Sequence, residues 1–455
     1  MDALSRTAEA ALIDDRAYPP SRRAWVACSI LTLGCILAFM DRGILSLFVV
    51  PIQRDLSLSD TQMGSLIGLA FGIFNALFGL PIGRLVDVGN RKIIAAAGVF
   101  GWSIANAACG LAANFGQMFV ARTAVGAGEG ALSPAAVSLL ADYFPPGRRG
   151  LPMGVFYSGM HIGGGGVLLL GGFIWMSIGD RIVDVPVLGS LHSWQVILLC
   201  FAALGLLIAP LTLLIPEPPR VASRQIFDEK GPTFLDTLRF YGHNRRALFG
   251  HSAGFCLSNF ALHSGSAWLP AILMRSQGWT LGQTGLIYGT ILLIVSPLGA
   301  ISGGLLGDRL VKRGRSDGRL IAAIIAVSGT GAAALGIGIV HSPPLVVVAL
   351  MTFTFFSAFL LPLGPGALQD ALPNRMRGQG VALYIFCINI MAGGLAAVVT
   401  GAMTQYAFRD PTRTNEAFAV VAIIACLGGV AVLSLTRRAF RQLVTDQLST
   451  LRPAT

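Results

Sequence analysis

Apolar stretches of about 20 residues or more recur along the whole of this 455-residue chain. At a rise of about 1.5 Å per residue, 20 residues carry a helix across the roughly 30 Å hydrocarbon layer of a bilayer. Inside lipid every backbone N–H and C=O needs an internal partner, so only helices and closed barrels can span. Runs of this length exceed the ~10 residues of a barrel strand, which leaves an all-α membrane protein. Twelve spans are predicted, near 24–50, 62–86, 93–113, 117–144, 150–178, 194–215, 247–274, 282–307, 318–341, 345–372, 376–408 and 415–438. Composition agrees, with 54% hydrophobic and 12% charged residues, a balance no soluble domain of this length requires.

Basic residues set the expected orientation. Of 33 Lys and Arg, 26 fall on the side of the N-terminus, five on the far side and two in mid-span. That bias predicts both termini in the cytoplasm. It also explains the net charge of +11 as loop charge, which argues against a nucleic-acid partner. A polar segment containing Pro216, Pro218 and Pro219 divides the spans six and six. The expected organisation is a cytoplasmic tail over 1–23, a six-helix bundle over 24–215, a cytoplasmic linker over 216–246, a second bundle over 247–440 and a cytoplasmic tail over 441–455. Pro232 to Tyr241 suits a short amphipathic helix on the membrane surface.

The two halves repeat. At an offset of 221, Cys35, Phe39, Arg54, Gln62, Gly64, Gly83 and Asp87 meet Cys256, Phe260, Arg275, Gln283, Gly285, Gly304 and Asp308. At an offset of 228, Pro134, Asp142, Pro145, Arg149 and Gly150 meet Pro362, Asp370, Pro373, Arg377 and Gly378. Register held across spans and loops marks a parallel six-span repeat, two pseudo-symmetric bundles around a central site.

Four charges stand in mid-span: Asp41 and Arg42 in the first span, Arg122 and Glu129 in the fourth. Arg122 and Glu129 are seven residues apart, so they share one helix face, roughly 10 Å along the axis. A charge at the bilayer centre costs on the order of 2.5–3.5 kcal/mol, so all four should face protein or a water-filled cavity. A carboxyl group there is pushed towards the neutral form by desolvation and towards the charged form by arginine. Asp41 and Glu129 are therefore the candidate proton carriers. Arg42 and Arg122 are the candidate counter-charges, freed for an anionic headgroup when the carboxylates protonate. The plainer alternative is a static salt bridge that sets helix register. All seven cysteines lie in apolar runs without paired spacing, so neither disulfides nor a metal is expected. No nucleotide loop, nucleophile triad or metal spacing points to an enzyme, a primary pump or a cofactor.

The repeated loop motif narrows the fold. Gly83-Arg-Leu-Val-Asp87-Val-Gly-Asn-Arg91-Lys92 and Gly304-Leu-Leu-Gly-Asp308-Arg309-Leu-Val-Lys312 resemble the loop signature of the major facilitator superfamily. That resemblance implies a cytoplasmic latch built from Gly83, Asp87, Arg91, Asp142, Arg149, Asp308 and Arg309, with acids pairing to arginines across the bundle interface. Phe39-Met-Asp41-Arg42, Trp102-Ser103, Arg122-Thr-Ala-Val-Gly-Ala-Gly-Glu129 and Asp142-Tyr-Phe-Pro145 further resemble the spinster family. Membership of that family implies an amphipathic lipid-like substrate such as a lysophospholipid or sphingoid phosphate. With 30 Arg to three Lys, the chain reads as a bacterial homologue of the inner membrane.

Applying the offsets, Asp41 meets Leu262, Arg42 meets His263, Arg122 meets Leu350 and Glu129 meets Ser357. Charge handling should then belong to the first bundle, and the second should shape the substrate surface. His263, His161, Asn389, Ser357, Phe356 and Tyr384 are the expected cavity residues, with Phe353, Phe355, Phe359 and Phe386 suiting an acyl chain. The same aromatics also suit ordinary helix packing. The expected protein is a monomeric, proton-coupled secondary transporter of an amphipathic anionic lipid, working by alternating access. A multidrug exporter or organic-anion symporter on the same scaffold is the alternative. A passive lipid scramblase differs in class, because it needs neither Asp41 nor Glu129 to titrate.

Overall fold

The computed structural model describes residues 18–145, 148–220 and 233–450. Residues 1–17 and 451–455 of the expected tails and 221–232 of the expected linker lie outside the described residues. Spanning helices follow in order: α1 Ser21–Leu47, α2 Asp60–Val88, α3 Arg91–Gly110, α4 Phe115–Tyr143, α5 Gly150–Ile178, α6 Ser193–Leu213, α7 Arg245–Arg275, α8 Leu281–Lys312, α9 Gly318–Ile339, α10 Pro343–Ala371, α11 Asn374–Phe408 and α12 Pro411–Gln447. Eleven of them are long and apolar enough to cross a membrane by length and composition alone. The twelfth, α7, is 31 residues long but carries His251, Ser252, Ser258, Asn259, His263, Ser264 and Ser266. A helix covered by neighbours can hold such residues. The architecture is the all-α, two-bundle membrane fold that the spans and repeat predict.

The sequence repeat is visible in local chemistry. Ser59 and Gln62 form a capping box at the start of α2, and Thr280 and Gln283 do the same at α8, 221 residues later. Each box satisfies backbone N–H groups that the helix itself leaves unpaired. Arg91 on α3 bonds Asp142 on α4, and Arg319 on α9 bonds Asp370 on α10. Both pairs are separated by 51 residues.

A short helix, Val49–Leu56, follows α1. The loop between α5 and α6 folds into an antiparallel hairpin, β1 Ile182–Val185 with β2 Gly189–His192. A surface helix, Phe234–His243, precedes α7. It buries Thr237 and Tyr241, which bond Gln379 and the Gly380 carbonyl of α11.

The bundles meet along two seams, α2 with α11 and α5 with α8. Glycine permits both. A Cβ on Gly72 would stand 3.0 Å from the Gly393 backbone, and one on Gly172 would stand 3.0 Å from Gly285 Cα. These contacts lie in the half of the molecule away from the termini. Towards the termini such close approaches are missing among the described residues: at Gly79, Gly83 and Gly304 nothing stands within 4 Å of an added Cβ. The ends of α4 and α10 there pack within their own bundles. The molecule is closed on its far face and open on the face that carries the termini.

Candidate functional site

Glu129 ends the first segment of α4, which breaks at Gly130 before resuming at Leu132. Its carboxylate is fully buried, and its Oε2 accepts a 2.6 Å hydrogen bond from Arg42 Nε on α1. Arg42 is sandwiched at 4.6 Å from the rings of both Phe39 and Phe71, positions in which aromatic faces stabilise a guanidinium. Its side chain is still 34% exposed. Among the described residues Glu129 is its one hydrogen-bond partner, so the two terminal nitrogens remain available.

Asp41, next in line on α1, is 1% exposed and makes no ion pair with an arginine among the described residues. Its Oδ1 accepts from Asn106 Nδ2 on α3 at 2.9 Å, and its Oδ2, with the Trp102 indole alongside, has no hydrogen-bond partner among the described residues. Arg122, also 1% exposed, donates from Nη1 to the main-chain oxygen of Asp41 at 3.3 Å. It lies 5.5 Å from the Phe71 ring. The four mid-span charges are thus brought together, but not in the pairing expected of two counter-charged arginines. Arg42 serves Glu129, and Asp41 takes a neutral amide. Asn106 was not singled out from the sequence; the available signal was a lone amide in an apolar span, four residues after Trp102.

The other expected cavity residues divide into two groups. His263 on α7 bonds the Asn259 carbonyl through Nδ1 at 3.0 Å and lies in electrostatic range of Arg42. His161 on α5 bonds Ser296 on α8 at 2.9 Å, across the seam. Asn389 opens a π-helical turn of α11, Asn389–Gly394, and its carbonyl faces Gly72 of α2. These three stand where the bundles meet. Ser357, Phe356 and Tyr384 do not. Ser357 is buried without a hydrogen-bond partner among the described residues, Phe356 packs on Gly329 of α9, and Tyr384 is buried between His251 and Phe255. Phe353 packs on Gly265 and Phe418, and the Phe355 and Phe359 backbones meet Gly299 and Gly303. The aromatic-rich α10 is committed to its own bundle, because glycines on α7, α8 and α9 draw it into close contact.

The expected latch residues also bond inside their bundles. Arg91 is buried, bonds Asp142, reaches Glu217 at 2.7 Å and donates to the Pro218 carbonyl at 2.8 Å. Arg149 Nε donates to the Phe144 carbonyl at 2.9 Å. Asp308 pairs with Arg319 at 2.8 Å, while Asp87 and Arg309 are exposed and Gly83 faces open space. An ion pair between the bundles lies instead on the far face. There Arg275, at the end of α7, pairs with Asp60 of α2 at 2.9 Å. It also bonds Gln53, reaches Thr414 at 3.2 Å and lies 5.7 Å from the Trp268 ring. In the sequence Arg275 stood out only as the repeat mate of Arg54.

A family model described as Major Facilitator Superfamily matches residues 31–397. An MFS-type efflux pump of Mycolicibacterium smegmatis is 27% identical over 84% of this chain and 85% of its own length. A hexuronate transporter of Bacillus subtilis is 25% identical over 90% and 93%, and protein spinster homolog 3 of Danio rerio 26% identical over 90% and 84%. Among solved structures, a bacterial homologue of the human lysosomal transporter spinster, crystallised inward-facing and unoccupied, superposes with a TM-score of 0.76. It is 23% identical, and the match covers 96% of this chain and all of that one.

Proposed function

The chain belongs to the Major Facilitator Superfamily, and from that premise we propose that it is a proton-coupled secondary transporter of an anionic amphiphile, a lysophospholipid or sphingoid phosphate. It is a multi-pass membrane transporter and not an enzyme. The observation that carries the finer reading is Arg42: partly exposed, held from one side by buried Glu129, with two terminal nitrogens unbonded. A guanidinium in that setting offers a phosphate or carboxylate a two-pronged, charge-assisted contact that Lys cannot reproduce.

In this reading the first and second bundles, 24–215 and 247–440, rock about the central site, joined by the linker 216–246. The termini are cytoplasmic, so the open face makes this the inward-open state of a monomer in a bacterial inner membrane. A proton on Glu129 releases Arg42, whose freed valences take the substrate headgroup; loss of that proton returns Arg42 to Glu129 and expels the anion. Asp41 is the second carrier, and His263, across the centre from Arg42, is a further headgroup donor. His161 and Asn389 line the moving seam. Gly83, Asp87, Arg91, Asp142, Arg149, Asp308 and Arg309 form the cytoplasmic latch when that face closes.

A sugar-acid symporter is the second reading. It is favoured by the packing of Phe353, Phe356 and Phe359 inside the second bundle, which leaves less aromatic surface for an acyl chain, and by the hexuronate-transporting relative. Both substrates are anions and both use Arg42. Proteoliposomes with a trapped pH dye separate them: wild-type protein should move protons when a lysophosphatidate or sphingoid phosphate is added. Movement with hexuronate but not with either lipid supports the sugar-acid reading. Movement with none of them, or equally with a neutral lysolipid, contradicts proton-coupled anion transport.

A further inference from the structure

Among the described residues five buried polar atoms at the central charges lack a hydrogen-bond partner: Asp41 Oδ2, Asn106 Oδ1, Trp102 Nε1, Arg122 Nε and Glu129 Oε1. Asn106 is fully buried on α3, and its one bond is the donation from Nδ2 to Asp41 Oδ1 at 2.9 Å. The carboxylate and amide are therefore joined at one corner, with an unsatisfied oxygen on each side. Two acceptors cannot satisfy each other, and a buried acceptor without a donor is unfavourable.

One proton resolves both. Placed on Asp41 Oδ2, it donates to Asn106 Oδ1 while Asn106 Nδ2 continues to donate to Asp41 Oδ1, closing a paired carboxylic acid and carboxamide. We infer that Asp41 and Asn106 together form a proton-binding site in which the Asn106 carbonyl holds the proton carried by Asp41. This rests on the reading of Asp41 as a proton carrier. The proton comes from water and returns to water, and no other covalent bond changes. When it leaves, the Trp102 indole N–H, which stands alongside Asp41, is the donor at hand for Oδ2.

The neighbouring ionisable groups leave this role to Asn106. Arg42 on α1 is bonded to Glu129 of α4, and Arg122 on α4 to the main-chain oxygen of Asp41. His263 on α7 is bonded to Asn259, and His161 on α5 to Ser296. Cys109 is buried on α3, one turn from Asn106. None of these groups makes a hydrogen bond to the Asp41 carboxylate, whose polar side-chain neighbours are the Asn106 amide and the Trp102 indole.

Infrared difference spectroscopy across a pH step, on purified wild type, Asp41→Asn, Asn106→Leu and the exchanged Asp41→Asn/Asn106→Asp protein, tests this. The carboxylic acid C=O band should vanish in Asp41→Asn and move to higher frequency in Asn106→Leu, where its hydrogen bonds are lost. The exchanged protein should regain a band, together with at least a tenth of wild-type pH-gradient-driven transport where Asp41→Asn alone has none. If Asp41→Asn removes the band but Asn106→Leu leaves its frequency unchanged, Asn106 is not the proton's partner and the reading of Asp41 stands. A band that persists in Asp41→Asn overturns that reading and this inference with it.

Discussion

Arg54 and Arg275 occupy equivalent positions 221 residues apart, yet one is tied to its own half and the other to the opposite half. Arg54 pairs with Asp55 at 2.7 Å and with Asp180 just past α5. At the positions equivalent to Asp55 and Asp60 the second half carries Ser276 and Leu281. With no acid at either equivalent position, Arg275 pairs across the halves with Asp60 on the far face. The centre of the membrane follows the same rule: Asp41, Arg42 and Glu129 face Leu262, His263 and Ser357 as their mates. The halves share their packing, including capping boxes and the Arg91 and Arg319 pairs, while the second half lacks acids at the positions equivalent to Asp41, Asp55, Asp60 and Glu129. The charges left over are those free to work between the halves.

The corners near the termini extend the comparison. Arg220 and Arg441 are also 221 residues apart. Arg220 donates to main-chain carbonyls of Val86, Asp87 and Gly89 at the α2–α3 corner. Arg441 and Arg437 instead bond the buried carboxylate of Asp317 at the α8–α9 corner, at 3.2 and 2.9 Å. One corner is held by neutral acceptors and the other by a titratable acid.

Three substitutions sharpen or break this contrast. The largest effect belongs to Arg42→Lys, which keeps the charge but loses the planar fork. Hydrogen bonds to charged groups contribute about 1.5–3 kcal/mol, so binding of the anionic substrate should weaken about tenfold or more. A neutral analogue should be unaffected, as isothermal titration would show. Equal losses for both would make Arg42 structural.

Next is Asp60→Asn, which strips Arg275 of its acid. A pair this well buried should contribute more than a surface pair, about 1–2 kcal/mol, enough for a several-fold shift towards the state open on the far face. Spin labels at Ser57 and Gln277 should report longer distances in Asp60→Asn and unchanged ones in Arg54→Ala. If Arg54→Ala opened that face equally, the two arginines would be equivalent after all.

The smallest effect is at the corners. Burial pushes the Asp317 carboxyl up, but the Arg437 and Arg441 bonds outweigh it and hold it below its ordinary 3.8. A carboxyl depressed in the folded state stabilises fully above its unfolded value, and that contribution is lost as pH falls through the lower folded one. Hydrogen exchange in residues 437–447 should thus be slow at neutral pH, rise in Asp317→Asn, and converge between the two proteins only below about pH 4. The Arg220 corner, bonded to main chain, should show no such step.

Much of this was legible in the sequence. Spans, halves and the four central charges follow from length, periodicity and the cost of burying charge, which act residue by residue. What was not legible is choice of partner. Nothing in Asp41-Arg42 says that Arg42 turns to Glu129 while Asp41 takes Asn106, because that depends on how α1, α3 and α4 rotate against one another. The α10 phenylalanines suit a cavity, lipid or a neighbouring helix equally well; glycines on three other helices decide. The α5–α6 hairpin escaped notice because two four-residue strands are too short for a clear alternation.

The account stands most directly on pH-gradient-driven transport in proteoliposomes, measured for Glu129→Gln against Ser357→Ala. These residues are symmetry mates, buried at equivalent depths in the two bundles. Glu129→Gln should abolish coupling while the protein remains folded in the membrane, and Ser357→Ala should keep the wild-type pH dependence. If Ser357→Ala moved the pH optimum as far as Glu129→Gln, charge handling would not belong to the first bundle.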